Sequence, residues 1–190
     1  MDDADSMEEE IKQHIRKEKF FLNTTITQFS DSFIISKGSG NVNGIETLVL
    51  DTNHIFLMGI YYHFLFRGAI TEGKMIHNDE FVFGPGFVKA YEMENKEALY
   101  PRVIVDTKIV EKYINQSTIL RDLVKPDDNG LYYIDIFKGL DYQFTTEKSK
   151  KIILSILKGL INKGLECDDD KTKSKYEWLD KKYNDYISSK

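Results

Sequence analysis

The chain has 190 residues, 41% of them hydrophobic and 30% charged, enough for one sizeable core and too few for two comfortable ones. Its 26 basic residues against 31 acidic ones leave a net charge of −5, so no overall positive field draws it to a polynucleotide or to an anionic membrane. One cysteine, Cys167, excludes an internal disulfide and any multi-cysteine metal centre, and fits a reducing cytoplasm.

Residues 1–22 open with the acids Asp2, Asp3, Asp5, Glu8, Glu9 and Glu10, unlike a secretory signal, and then set Ile11 and Ile15 at helical spacing; a solvated helical arm is expected. An α+β domain is expected over 23–145. It begins with two short strands over 23–36 that meet near Asp31, followed by a loop at 37–44 and a long helix carrying Ile45, Leu48, Val49, Ile55 and Met58. The apolar run from Ile55 to Phe66 is broken by Gly59 and carries His63, so it reads as a buried helix rather than a membrane span. Strands are expected at about 66–77 and 80–84, joined through His77, Asn78 and Asp79. Next come a helix over 85–98 with Pro85 in its first turn, a strand over 102–106, a helix over 107–125, a turn at Pro126 to Gly130, and a strand over 131–137. Residues 146–190 carry two apolar stripes, Ile153, Leu157 and Ile161 on one helix and Leu179, Tyr183 and Tyr186 on the next, and an antiparallel helical pair is expected there.

Asp31 interrupts a β-rich stretch, where an acid is unfavourable unless a turn, a partner or a cation accounts for it. Two readings stand: a turn aspartate bonding its own backbone, or a ligand for Mg²⁺, which takes one or two carboxylates together with substrate phosphate oxygens. Ser30 and Ser32 flank it with hydroxyl and amide donors. Gly68, Gly73, Gly84 and Gly86 permit close backbone approach, and the helix opening at Gly84 and Pro85 could turn its amides to an anion; hairpin glycines also serve simply as bulges and turns. Arg67 and Arg102 could each stabilise charge on a phosphoryl group or pair with a nearby acid such as Glu72, Glu92 or Asp106. His54 and His63, nine apart, fall on opposite faces of a helix and cannot share a metal. Neither a phosphate-binding loop nor a nucleophile-elbow motif is present.

The order of these pieces resembles the class III nucleotidyl cyclases. Phe29 to Ile35 looks like the hairpin that carries that family's second metal-binding aspartate, and Arg67 to Gly73 resembles its arginine- and glycine-bearing strand. Phe83 to Ala90 resembles the strand-to-helix segment that follows. Similarity is closest to divergent bacterial members, including the pyrimidine cyclases of antiphage signalling. The resemblance implies an α+β, ferredoxin-like sheet with helices packed on it, in a head-to-tail homodimer. The implied reaction converts a nucleoside triphosphate to a 3′,5′-cyclic nucleotide and pyrophosphate with Mg²⁺ or Mn²⁺. On this alignment Asp31 is a metal ligand, Thr27, Ser30 and Ser32 contact the nucleotide, and Thr27 stands where the adenine-selecting lysine does.

Three departures go with it. Residues 1 to 24 contain no strand of the type that carries the family's first metal aspartate, so that strand is missing or lies upstream, and a gap is expected in the middle of the sheet. Val88 and Glu92 stand where the transition-state Asn and Arg are found, leaving Arg102 as the candidate catalytic cation. A catalytically inactive module that binds a nucleotide or a protein is the alternative reading.

Overall fold

The computed structural model of the chain describes residues 24–190 except Ser39 and Asp79. The arm expected over 1–22 and the question of an opening strand lie outside these residues.

Strands β1 (Thr24–Phe29) and β2 (Ser32–Lys37) form an antiparallel hairpin whose register runs from Thr24 opposite Lys37 to Phe29 opposite Ser32. Only Ser30 and Asp31 are left to turn the chain, and Ser30 adopts a left-handed φ of 56°, as tight hairpin turns require. Alternation then sorts the side chains. Thr25, Thr27, Ser32, Ile34 and Ser36 share one face, and Ile26, Gln28, Phe33, Ile35 and Lys37 the other. The second face meets helix α1 (Val42–Tyr61): Lys37 Nζ lies 3.1 Å from the buried Asp51 carboxylate and Thr24 Oγ1 donates to the same oxygen at 3.2 Å, while Phe33 meets Phe66, in the segment after the helix, edge-on.

Helix α1 starts where the Asn41 side chain accepts from the Gly44 amide, and it buries Ile45, Val49, Phe56, Leu57 and Ile60 at spacings that keep one stripe on the core. Strand β3 (Gly68–Ile70) follows, then a two-stranded ribbon of β4 (Ile76–His77) and β5 (Val82–Phe83). Helix α2 (Pro85–Glu97) then crosses back to β6 (Val103–Val105), which pairs in parallel with β3. Gly84 holds a φ of 137° at the turn into α2, where a side chain would be strained. Just beyond, Gly73 and Gly86 pack backbone to backbone, for a Cβ on Gly73 would lie 2.6 Å from the Gly86 Cα.

The helix expected over 107–125 is broken. Asp106 caps α3 (Thr107–Tyr113), a 3-10 turn spans Ile114–Gln116, and the Ser117 side chain caps a fresh helix, α4 (Thr118–Leu123), before Val124 enters β7 (Val124–Pro126). Strand β8 (Tyr132–Ile134) is shorter than expected because Asp135 accepts from the Phe137 and Lys138 amides and starts α5 (Ile136–Gln143), a helix that had no expectation in the sequence. The C-terminal pair is present as α6 (Glu147–Leu165) and α7 (Asp170–Ser188).

The larger sheet runs in the order β3, β6, β8, β7, with β8 antiparallel to both neighbours. Val103, Val105 and Ile134 face the main core, shared with α1 and with Ile153, Leu157, Ile161 and Leu179 of the C-terminal pair. Residues 146–190 therefore close the same core as the rest of the chain. Ile104 and Tyr133 face the opposite way, toward Ala98, Met93 and Trp178. The architecture is α+β, with seven helices and small sheets among the described residues. The continuous ferredoxin-like sheet that the resemblance implies is not formed there: β1 and β2 make one sheet, β3, β6, β8 and β7 another, and α1 joins them.

Candidate functional site at the hairpin tip

The two-residue turn pushes Asp31 out between Ser30 and Ser32. All three are exposed, and the Asp31 carboxylate makes no hydrogen bond or ion pair with any described residue. A turn aspartate serving its own backbone would be bonded to a nearby amide. Asp31 is not, so its charge is left to solvent or to a ligand. Behind it runs the hydroxyl-bearing face of the hairpin. Thr27 and Ser32 share that face, and the ring of His77 from β4 closes on it, Nε2 at 2.9 Å from Thr27 Oγ1 and Nδ1 at 2.7 Å from Ser36 Oγ. Burial lowers the His77 pKa, favouring the neutral ring in which one nitrogen donates and the other accepts. His77 carries no sequence signal for this role, because it stands 50 residues from Thr27 and only the ribbon's placement joins them.

Arg102 belongs to another environment. Its residue is 1% exposed, and one guanidinium arm is bonded to Asp127, which also takes Lys182 Nζ at 3.3 Å. The guanidinium carbon lies 5.2 Å from the Tyr100 ring centroid, 5.4 Å from that of Tyr133 and 5.1 Å from that of Trp178, and Tyr100 and Trp178 stack with 4° between their planes. Burial alone would raise the Asp127 pKa; the bond from Arg102, the Asp128 amide and the Lys182 ammonium outweigh it and hold the carboxyl below its ordinary range. A guanidinium enclosed in this way does not reach a triphosphate. The catalytic expectation for Arg102 gives way to a structural one: it fixes the turn before β8 and the face of α7 against the sheet.

The remaining charged candidates are also paired. Arg67 Nε sits 2.7 Å from Glu94, rather than beside Glu72, Glu92 or Asp106. Asp106 takes Lys89, Thr71 Oγ1 at 2.7 Å and the Lys108 amide at 3.1 Å; burial pushes its carboxyl up, and these bonds bring it below the ordinary carboxylate range. Glu72 accepts from Lys112 and from the Tyr113 hydroxyl. At the start of α2 the Gly86 amide donates to the Lys74 carbonyl at 3.0 Å, so the glycines serve backbone packing rather than an anion cradle. His54 is buried, while His63 lies exposed beyond the end of α1.

Among the described residues no group of three or more His, Cys, Asp or Glu side chains could hold a metal, and none of the helices is long and apolar enough to cross a membrane. One carboxylate flanked by hydroxyls suits a cation that arrives on a phosphate ligand and keeps most of its other oxygens from that ligand and water. Comparison with known families, with characterised proteins and with solved structures finds no match.

Proposed function

We propose that the chain is a class III-like nucleotidyl cyclase module, acting on a nucleoside triphosphate in a cytoplasmic homodimer. Asp31 takes a Mg²⁺ or Mn²⁺ ion carried by the triphosphate, Ser30 and Ser32 hydrogen-bond at the tip, and Thr27, oriented by His77, meets the nucleotide on the hydroxyl face. A cation held by Asp31 would neutralise charge on the phosphates; in the reaction the ribose 3′-oxygen would bond to the α-phosphorus as the bond from that phosphorus to the bridging oxygen breaks, the hydroxyl proton passing to water and pyrophosphate leaving. The observation that carries this reading is an unpaired carboxylate held out of a two-residue turn at the end of a hydroxyl-lined sheet face.

Incubation of the full chain with each of the four ribonucleoside triphosphates and Mn²⁺ tests the reading. Cyclic nucleotide and equimolar pyrophosphate are expected from at least one, and Asp31→Ala abolishes them; no cyclic product from any triphosphate ends the enzymatic claim. A second reading, a catalytically inactive nucleotide- or protein-binding module, is favoured by the enclosure of Arg102, which removes the cation expected to stabilise the transition state. Calorimetry separates the two: triphosphate binding without turnover, unaffected by Asp31→Ala, selects the inactive module.

A further inference from the structure

The cluster around Arg102 holds more positive charge than its own carboxylate balances. Arg102 and Lys182 both bond Asp127, so two cations share one anion. The other acids nearby are committed elsewhere: Asp135 meets the Phe137 and Lys138 amides at the positive end of α5, and Asp128 pairs with Lys181 at the exposed surface. One unit of positive charge is left over where the arginine is almost wholly buried. A charge taken out of water without a partner is costly, so the cluster calls for a counter-ion. Arg102 also has donors to spare. Its Nη1 goes to Asp127, whereas Nε and Nη2 are buried and have no hydrogen-bond partner among the described residues. Those two nitrogens form the side-on edge of the planar guanidinium fork, so their N–H groups point the same way, as in a bidentate grip on an anion.

A cavity of about 10 Å³ lies beside this cluster, lined by Arg102, Tyr133, Ile136, Phe137, Trp178 and Lys182. Both cations therefore border one space whose other walls are aromatic and aliphatic. A volume near that of one water-sized sphere admits a single small occupant and excludes sulfate, phosphate or a nucleotide. We propose that this cavity is a binding site for a monatomic anion such as chloride, gripped by Arg102 Nε and Nη2 and balanced by Lys182. A water molecule would satisfy the two donors but bring no charge, and the excess of one cation favours the ion. Arg102 stands just before β6, Tyr133 in β8, and Trp178 and Lys182 on α7, so the ion ties the C-terminal helix to the sheet. The site uses none of the hairpin residues and does not depend on the cyclase reading.

Urea unfolding of the full chain, with chloride exchanged against methanesulfonate at constant ionic strength, tests the proposal. Trp178, the only tryptophan, reports the transition. Fixed ionic strength removes general screening, and methanesulfonate is too large for the cavity. With one site in the folded state, each tenfold rise in chloride above its dissociation constant should lower the unfolding equilibrium constant about tenfold. Lys182→Met keeps a stem against Tyr133 and Trp178 and leaves Arg102 and Asp127 as a neutral pair, so it should lose the chloride response. Lys181→Met removes the neighbouring exposed charge and should keep it. Asp127→Asn adds one unit to the excess charge and should move the response to lower chloride. Stability that does not change as chloride replaces methanesulfonate means that water fills the cavity, and overturns the proposal. An equal chloride response in the wild type and Lys182→Met overturns it as well. Those two proteins decide the matter between them, so a failure of Asp127→Asn to fold leaves the test intact.

Discussion

The hairpin β1–β2 and the sheet around β6 each carry a charged group that the sequence marks for chemistry, and they treat it in opposite ways. In the sheet, Arg102 is enclosed by three aromatic rings and neutralised by Asp127. At the hairpin tip, Asp31 stands in solvent with no described partner. A buried charge lasts only when paired, so its surroundings are built for it and it is spent on the fold. An exposed, unpaired charge costs the fold little and is free for a ligand.

The sharpest way to break this comparison is to remove the partner in the sheet. Asp127→Ala leaves Arg102 buried against rings with no carboxylate, and loss of one member of a buried pair costs about 3–5 kcal/mol. Urea unfolding at pH 7 should show a drop of that size, with Trp178 fluorescence reporting release of α7, since Trp178 stacks on Tyr100 beside the guanidinium. The pH dependence has a definite sign. The Asp127 carboxyl in the fold lies below its unfolded value near 3.9, so its contribution is whole above about pH 4 and is lost as pH falls through the lower folded value. The difference between wild type and Asp127→Ala should therefore shrink in strong acid. A variant as stable as the wild type at pH 7 would return Arg102 to the list of chemical candidates.

Much of this contrast was legible in the sequence, and what was not has two causes. Alternation over residues 23–36 and the serines about Asp31 marked the hairpin and its tip, because the turn and the register are local. The apolar stripes of α6 and α7 were equally local. The partners of Arg102 lie 25 and more residues away, at Asp127 and Trp178, and short-range spacing offers Asp106 instead. Helix α5 was hidden for another reason: residues 131–137 alternate like a strand, and the tertiary position of Asp135, which caps the Phe137 and Lys138 amides, turns the second half into helix.

A smaller effect is expected where the hairpin meets the ribbon. His77→Ala removes two hydrogen bonds worth about 1 kcal/mol each, and the loss should fall on the hairpin rather than on the whole molecule. Amide exchange would speed up in β1 and β2 and stay unchanged in β6. Because burial depresses the His77 pKa, its contribution is complete above the unfolded value of about 6.5 and declines as pH falls through the lower folded value. Hairpin protection, corrected for intrinsic exchange, should weaken between pH 7.5 and 5.5 in the wild type. In His77→Ala that change should vanish, and a hairpin equally protected at both pH values would remove His77 as the clamp.

The smallest expected effect on stability is also the most informative. Asp31→Asn keeps the size of the side chain and its capacity to turn the chain, and removes only the charge. If Asp31 belongs to the fold, as Asp127 does, its unfolding midpoint moves; if it is held out for a cation, the midpoint stays and binding changes. Titration of Mn²⁺ into the chain with a nucleoside triphosphate present, followed by the electron spin resonance of the free ion, reads the second quantity directly. Unchanged stability with Mn²⁺ affinity reduced at least tenfold is the expected pair of results. Equal Mn²⁺ binding by both proteins would leave the tip carboxylate without a ligand and take the support from under the cation site. A shifted midpoint with equal binding would turn the comparison round, since Asp31 would then be spent on the fold as Arg102 is.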